Sequence, residues 1–485
     1  MAGTPLPPSN LLVEYMENPI VLDIPDPRFY WLTNHPDRGI TQTAYRIMVN
    51  NTLTNTVVWD TNTVTSNSTT HIVYGGTPLV SDTKYSWAVM WVDSNGVSSD
   101  WSAVNYFGTG LLTQQEWSAA DWIGCPLHEG DNPNYNQIRA EFNLNAAAGV
   151  TITQARMYIT AVGYYSARVN GQYAPQWPNY NRPILDPGWT TYEYRSLYNA
   201  YDLTNTLVPN GPNAIAVTLG NGWPDISPVP GNSSYNKKSI NASSDAFVFP
   251  DADALIKARL EGPPPHDADG LQDNVGGNRQ TRIQIYVHTS DGKTTVWTST
   301  ASAFQRDQST PKVGANGWMC GAGALLYDNI YNGCTYDARL ETTGWDSPNY
   351  NYANGNWTNA VLFADPGGDH PTTMTAQTFP AVTIQQELIA QSMESPAPGV
   401  YVFDMGQNFA GMVRLKLPAP ISAGIEITIR HAELLMHPPY GPKDGNIYVA
   451  NLRSAKATDV YTTKGTDDGS DYEIFEPMVS NRILR

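Results

Sequence analysis

The sequence predicts an all-β chain built from tandem antiparallel β-sandwich domains, and three observations carry that expectation. Apolar residues recur at period two, as in Tyr85-Ser-Trp-Ala-Val-Met-Trp91, where Tyr85, Trp87, Val89 and Trp91 fall on one face. Asn-Gly, Asp-Gly and Pro-Gly pairs, such as Asn95-Gly96, Asp291-Gly292 and Pro187-Gly188, punctuate these runs with turn chemistry that tolerates positive φ. Long amphipathic helical patterns with capping residues are essentially missing.

The 485 residues leave room for several domains of roughly 100–200 residues each. Residues 1–112 read as a fibronectin type III-like sandwich, with a strand at Thr43-Ala-Tyr-Arg-Ile-Met-Val49 and a hairpin turn at Asp93-Ser-Asn-Gly96. Residues 113–375 read as a jelly-roll or carbohydrate-binding-like sandwich, entered through Asp121-Trp-Ile-Gly124. Its centre is Val162-Gly-Tyr-Tyr-Ser-Ala-Arg-Val-Asn-Gly171, followed by Leu185-Asp-Pro-Gly-Trp-Thr-Thr-Tyr192 and Asn213-Ala-Ile-Ala-Val-Thr-Leu-Gly-Asn-Gly-Trp223. Residues 228–280 turn irregular, which suggests an insertion that rejoins the fold at Arg282-Ile-Gln-Ile-Tyr-Val287. Residues 376–485 read as a third β-sandwich.

A formal net charge of −17 and a pI near 4.8 argue against a nucleic-acid partner, which needs a basic stripe, and against docking on anionic membranes. No apolar run is long enough to span a bilayer. Only 15% of residues are charged, whereas there are 14 Trp, a balance common in carbohydrate-handling proteins; the alternative is that the aromatics fill many small β cores. The start, Met1-Ala-Gly-Thr-Pro-Leu-Pro-Pro, shows no basic and apolar leader, so the chain reads as cytosolic as written and as secreted if a leader was lost. Sequons at Asn50, Asn67, Asn232, Asn241 and Asn356 fit a secreted origin. Cys125, Cys320 and Cys334 have no zinc spacing; three free thiols are the expected state, with a Cys320–Cys334 bridge as the alternative in an oxidising compartment.

Near the end stand Tyr401-Val-Phe-Asp-Met-Gly-Gln-Asn-Phe-Ala-Gly-Met-Val-Arg-Leu-Lys-Leu417, Ile425-Glu-Ile-Thr-Ile-Arg-His-Ala-Glu433 and Asn451-Leu-Arg-Ser-Ala-Lys-Ala-Thr-Asp-Val-Tyr461. Together they resemble the β-sandwich that precedes the catalytic domain of α-L-rhamnosidases. Pro27-Arg-Phe-Tyr-Trp31 after Asn18-Pro19, and Asp328 to Glu341 followed by Gly344-Trp345, extend the resemblance over nearly the whole chain, in order. It implies an inverting hydrolase of terminal α-L-rhamnosyl residues, whose acid and base lie on an (α/α)6 barrel beyond this chain's last residue. No residue here is then expected to be catalytic, and the chain alone is expected to be inactive. The last segment, Val479-Ser-Asn-Arg-Ile-Leu-Arg485, departs from the pattern of relatives and reads as a truncated sandwich. A stand-alone sugar-binding or adhesive protein built from the same domains is the alternative, and a ligand-free scaffold is a third reading.

Glycoside hydrolysis by protein groups needs two carboxylates, roughly 5 Å apart for retention and about 6.5–9.5 Å for inversion. Asp404, Glu426, Glu433 and Asp444 are carboxylates of the last domain, but structural roles are the expectation: Asp404 precedes Gly406 at a strand end, and Arg430 and Glu433 lie three apart, on opposite faces of a strand. His431 reads as a hydrogen-bonded structural histidine. Gln407 and Asn408, between two glycines, are expected to satisfy exposed peptide groups. By resemblance Asp404, Gln407, Asn408, Arg430 and Glu433 are candidates for the interface with the catalytic domain, an intramolecular partner. Sugar contacts are sought at Trp189, Tyr192, Asn221 and Trp223, since aromatic faces stack on C–H patches and amides bond hydroxyls; core packing of Trp189 and Trp223 is the alternative. Some relatives hold L-rhamnose with calcium through an acidic or amide pair before the Pro-Gly-Trp motif. Here Arg182-Pro183 stands in that place, so no metal and no cofactor are expected. The expected partners are rhamnose-containing glycosides or polysaccharides, with no nucleic acid and no membrane.

Overall fold

The computed structural model describes residues 3–125, 135–174, 183–222, 279–299, 317–368, 370–453, 455–466 and 469–477, and the backbone of 482–484. The expected insertion at 228–280 therefore lies almost entirely outside the described residues. Within them strands dominate and the helical turns are short 3-10 segments, so the all-β expectation holds. No helix among the described residues is long and apolar enough to cross a membrane.

The first sandwich faces the sheet Leu6–Val13, Arg28–Asn34 and Ile72–Val73 against a second sheet of Thr56–Asp60, Gln42–Asn51, Lys84–Asp93 and Asn105–Gly108, with Val64–Thr65 added beside Gln42–Asn51. Lys84–Asp93 alternates half-buried and buried at every step, as its period-two sequence predicts. Its inward Tyr85, Trp87 and Val89 close on Phe29, Trp31, Ile47 and Phe107. Each such fully buried side chain is worth about 1.5–3 kcal/mol of transfer free energy. Trp31 still needs a partner for its indole N–H, and Gln42 Oε1 accepts it at 3.0 Å. The turn after the strand forms as expected: Asp93 Oδ1 accepts the N–H groups of Asn95 and Val97, both at 2.8 Å, and Gly96 takes φ +80°.

The second sandwich is larger. One sheet runs Gln172–Tyr173, Tyr164–Val169, Pro212–Gly220, Tyr135–Asn143, Met319–Ala322 and Trp357–Asn359. The other runs Val361–Leu362, Ile123–Gly124, Gln280–Thr289, Ile152–Val162, Arg195–Asp202 and Thr373–Ala376, with Thr294–Thr298 paired beside Gln280–Thr289. The last of these strands joins parallel to Arg195–Asp202. Ile138, Phe142, Met157, Ile159, Val217, Leu219, Ile283 and Ile285 fill the space between the sheets.

A disulfide joins Cys125 to Cys320, with Cα atoms 5.5 Å apart. This corrects the expectation of three free thiols and excludes the Cys320–Cys334 alternative. The two half-cystines are 195 residues apart in sequence, and only the facing of the sheets brings them together. Cys334 is the free thiol, buried instead in a separate cluster with Tyr164, Leu325, Tyr461 and Phe475.

That cluster belongs to a third unit, and its sheet is shared across the chain. Leu325–Asn329 pairs with Gly333–Asp337, which joins parallel to Thr458–Thr462, and that strand pairs in turn with Glu426–Arg430. The remaining strands here form two-stranded ribbons: Ser392–Ala397 with Val400–Asp404, Phe409–Gly411 with Arg482–Leu484, Leu415–Pro418 with Tyr472–Phe475, and Leu434–Leu435 with Ile447–Tyr448.

Thiol titration of the denatured, unreduced chain is expected to find one free thiol, Cys334. Reduction, or Cys125→Ser with Cys320→Ser, should lower unfolding stability by about 2–5 kcal/mol in urea titrations, because the bridge closes a long loop.

Candidate functional site

Ile152–Val162 leads through Gly163 into Tyr164–Val169, and this corner needs glycine. Gly163 has φ +97°, and a Cβ there would meet the Gly220 carbonyl oxygen at 2.4 Å. The corner aims Tyr165 inward, where its hydroxyl lies 2.7 Å from that of Tyr201 and accepts from Asn199 Nδ2 at 3.0 Å. The Tyr165 N–H donates to the Asp186 carbonyl at 2.9 Å, which brings the 183–188 segment alongside.

Asp186 is the ionisable centre of this region. It is buried, and Gln377 Nε2 donates to its Oδ1 at 3.3 Å. Loss of hydration pushes its carboxyl up to about 6, although hydrogen bonds from Gln377 and Tyr201 pull the other way. The other end of the Gln377 carboxamide accepts the Gly188 N–H at 2.9 Å, and its own N–H bonds the Tyr198 carbonyl at 2.9 Å. One side chain thus ties the Asp186-Pro-Gly188 turn to the sheet. A small hollow beside it is lined by Tyr165, Ser166, Tyr173, Pro183, Asp186 and Tyr201, among others. Tyr173 is held there by Arg168 Nη2 at 2.6 Å, while Arg168 Nη1 bonds Asp346 at 2.8 Å.

Directly after the turn Trp189 is 58% exposed, so of its two expected settings it takes the surface and not a core. Tyr194 and Phe379 are also exposed, and the Phe379 ring lies so close to Gly188 that a Cβ there would stand 2.4 Å from Cζ. The 189–195 turn is pinned by Tyr194 and Arg195 N–H groups on the Thr191 carbonyl, at 2.9 and 3.1 Å, and by the Thr190 hydroxyl on the Arg195 carbonyl. Trp189 and Tyr194 are thus exposed on a hydrogen-bonded turn, with Phe379 against Gly188, and aromatic faces of this kind are suited to stacking on a sugar ring.

The other predicted sugar contacts are placed differently. Tyr192 is 7% exposed; its hydroxyl accepts the Gly163 N–H at 3.3 Å, and burial pushes its phenol well up. Asn221 is 3% exposed, donating its backbone N–H and Nδ2 to Asp328 Oδ2 and the Asp328 carbonyl, both at 2.6 Å. Both are buried and take their hydrogen bonds within the fold. Trp223 and Arg182 lie outside the described residues. Sequence reasoning missed Gln377, Tyr194 and Phe379; only the aromatic repeat Tyr192-Glu-Tyr194 carried a signal, and Gln377 had none.

In the third unit Asp404, Gln407, Asn408 and Arg430 are exposed and Glu433 is half-buried. Asp404 Oδ1 accepts the Gly406 N–H at 2.8 Å in a turn. The carboxamides of Gln407 and Asn408 make no hydrogen bond among the described residues, against the expectation that they satisfy peptide groups, and both residues are exposed. Arg430 ends its strand and Glu433 lies past it, 3.5 Å from Asn451 Nδ2, so no ion pair joins the two. His431 is buried against Asp459 at 2.9 Å, and Asp459 also accepts the Cys334 N–H at 2.9 Å. Glu426 is exposed on its strand, and Asp444 caps a turn through the Asn446 N–H at 3.0 Å. Among the described residues no group of three or more His, Cys, Asp or Glu side chains is placed to hold a metal ion.

The Asp186 carboxyl has a testable consequence. Its folded value, about 6, lies above the 3.8 of an ordinary aspartate, so the neutral form is favoured in the fold. Its stabilising effect is present below pH 4 and is lost as pH rises through about 6. Stability should therefore fall by on the order of 2–3 kcal/mol across that window. Urea titrations of Asp186→Asn between pH 4 and 7 are expected to lack that slope.

Comparison with known proteins follows the same order along the chain. Residues 8–113 match a family described as the Rha78A-like, N-terminal immunoglobulin domain. Residues 150–248 and 267–386 match the α-L-rhamnosidase N-terminal domain, and 394–482 match the bacterial α-L-rhamnosidase concanavalin-like domain. An α-L-rhamnosidase of Streptomyces avermitilis is 26% identical across 96% of this chain and 54% of its own length. One of Formosa agariphila is 28% identical across 87% and 40%. The solved α-L-rhamnosidase from Dictyoglumus thermophilum superposes with a TM-score of 0.75 at 29% identity, covering 99% of this chain and 46% of that one. The chain thus spans about half the length of the relatives it matches. With three profiles of one family in succession and a solved relative sharing its fold, the chain belongs to the α-L-rhamnosidase family, of which it carries the N-terminal β domains.

Proposed function

We propose that these β domains serve an enzyme that removes terminal non-reducing α-L-rhamnosyl residues from glycosides with inversion, and that this chain alone is inactive, acting as scaffold and sugar-contact region. The succession of the three rhamnosidase profiles along residues 8–482 carries the reading. The disposition of the carboxylates supports the inactivity of the chain. Asp186 is the one carboxylate in the lining of its hollow, whereas hydrolysis needs two across the scissile bond.

The scaffold role is supported by the ribbon Ser392–Ala397 with Val400–Asp404. Met393 opposes Phe403, and both are exposed together with Tyr401. A lone two-stranded ribbon is marginal in water and gains stability only when a face is covered. The catalytic domain is the proposed cover, with Asp404, Gln407, Asn408, Arg430 and Glu433 at the rim of the contact. For the sugar role Trp189 is the proposed stacking face, joined by Tyr194 and Phe379, with Trp223 a further candidate. The same rim favours a second reading, a free carbohydrate-binding protein.

Release of nitrophenol from a chromogenic α-L-rhamnoside is expected from a chain extended to the length of its relatives and not from the 485 residues alone; turnover by the short form overturns the assignment. L-Rhamnose titrations followed by calorimetry should show Trp189→Ala weakening binding about tenfold, or ~1.4 kcal/mol. Binding without hydrolysis in both forms would favour the free binding protein. Phe403→Asp is expected to shift unfolding of this chain by no more than about 0.5 kcal/mol, while lowering the melting temperature of the extended form.

A further inference from the structure

We propose that Asn67 is an N-glycan attachment site and that Asn50, which carries the same sequence signal, is not. Asn67-Ser68-Thr69 lies on the exposed connection between Val64–Thr65 and Ile72–Val73. The backbone on each side is held: Gln42 Nε2 donates to the carbonyls of Ser66 and Ser68 at 3.1 and 2.8 Å, the Ser66 N–H bonds the Thr43 carbonyl at 2.9 Å, and the Thr69 carbonyl accepts the Trp31 N–H at 3.1 Å. The Asn67 carboxamide itself is exposed, and neither it nor the Thr69 hydroxyl is engaged in a hydrogen bond among the described residues. Both groups that the sequon chemistry requires are therefore presented on an ordered loop.

Asn50 differs in its burial, in its place within a strand and in its sequon hydroxyl. It is half-buried in Gln42–Asn51, between Val57 of one neighbouring strand and Ser86 of the other. The hydroxyl of its Thr52 is committed to the Lys84 carbonyl at 2.8 Å. A glycan on Asn50 would have to cross the outer face of a central strand, whereas one on Asn67 leaves the loop directly into water. Asn356 is exposed, but buried Trp357 follows it in a strand paired to Met319–Ala322, which ties that sequon to the sheet. Asn232 and Asn241 lie outside the described residues. The Cys125–Cys320 bridge points independently to the same environment, because disulfides persist in the oxidising compartments where N-glycans are added.

In the transfer a bond forms between Asn67 Nδ2 and C1 of the first N-acetylglucosamine of a polyprenyl-pyrophosphate-linked oligosaccharide. The bond from that C1 to the pyrophosphate oxygen breaks, the amide gives up one proton, and the lipid pyrophosphate leaves. No oxidant or reductant is involved.

The test is to secrete the chain from yeast, treat it with peptide N-glycosidase, and map the peptides by mass spectrometry. The expected result is conversion of Asn67 to aspartate by the enzyme, with Asn50 unmodified. Asn67→Gln and Thr69→Ala should each remove the same glycan, the second while keeping the acceptor asparagine, and Thr52→Ala should leave the pattern unchanged. An unmodified Asn67 in the folded, secreted chain, or a glycan on Asn50 with or without one on Asn67, overturns the proposal.

Discussion

The strand Ile152–Val162 is buried on both faces, and the arrangement of the whole chain depends on how each face is satisfied. Ala155, Met157, Ile159 and Ala161 enter the core between the two large sheets. Gln154, Arg156 and Tyr158 on the opposite face meet the first sandwich, and burying such polar groups is favourable only if they find partners. Gln154 Nε2 donates to the Asp82 carbonyl at 2.7 Å, Arg156 Nη1 to the Thr109 carbonyl at 3.2 Å, and the Tyr158 hydroxyl to Asp82 Oδ1 at 2.6 Å. His288 Nε2 lies 2.7 Å from the other Asp82 oxygen. Burial and the adjacent Asp82 carboxylate hold the Tyr158 phenol well above its ordinary range. A network of this kind constrains orientation more than it adds stability, because a sandwich rotated out of place would strand several buried polar groups at once.

A second anchor follows from the first. Asp23 of the first sandwich accepts the Tyr198 hydroxyl and the Ala376 N–H, and burial raises its carboxyl above the usual range. Tyr198 belongs to the strand Arg195–Asp202 and Ala376 to its parallel neighbour Thr373–Ala376, whose register places Gln377 next to the Asp186 turn. The position of Trp189 is therefore set by a chain of contacts that starts at the junction of the first two sandwiches. The third unit is joined differently, through Leu325–Asn329 and Gly333–Asp337, which lie in its sheet while the chain around them belongs to the second sandwich. Apart from that sheet and its small core, it presents thin ribbons with apolar side chains in water.

Much of the fold was legible because period-two patterning and turn chemistry are local. Lys84–Asp93 and its Asn95-Gly96 turn, Tyr164–Val169, and the strand from Gln280 to Thr289 all lie where alternation places them. Part of the candidate site was legible for the same reason: Trp189 follows a Pro-Gly turn and does reach the surface. Tyr192 and Asn221 have equally suitable chemistry for a sugar contact, yet they are buried, because a residue type states what a side chain can bond and not which neighbour takes the bond. Gln377 is invisible in sequence; it matters only because a parallel strand from far along the chain docks beside Tyr198.

The sequence by itself determined the strand content, the turns, the family and the order of its domains, since these follow from short-range patterning and from motifs read in succession. Only the tertiary structure decided which cysteines join, which aromatics face water, and how the polar face of Ile152–Val162 is buried. The physical reason is the same in each case: a β-sheet assembles from distant segments. Cys125 meets Cys320, Asp82 meets His288, and Asp23 meets Ala376 through sheet packing, across separations that no local pattern encodes.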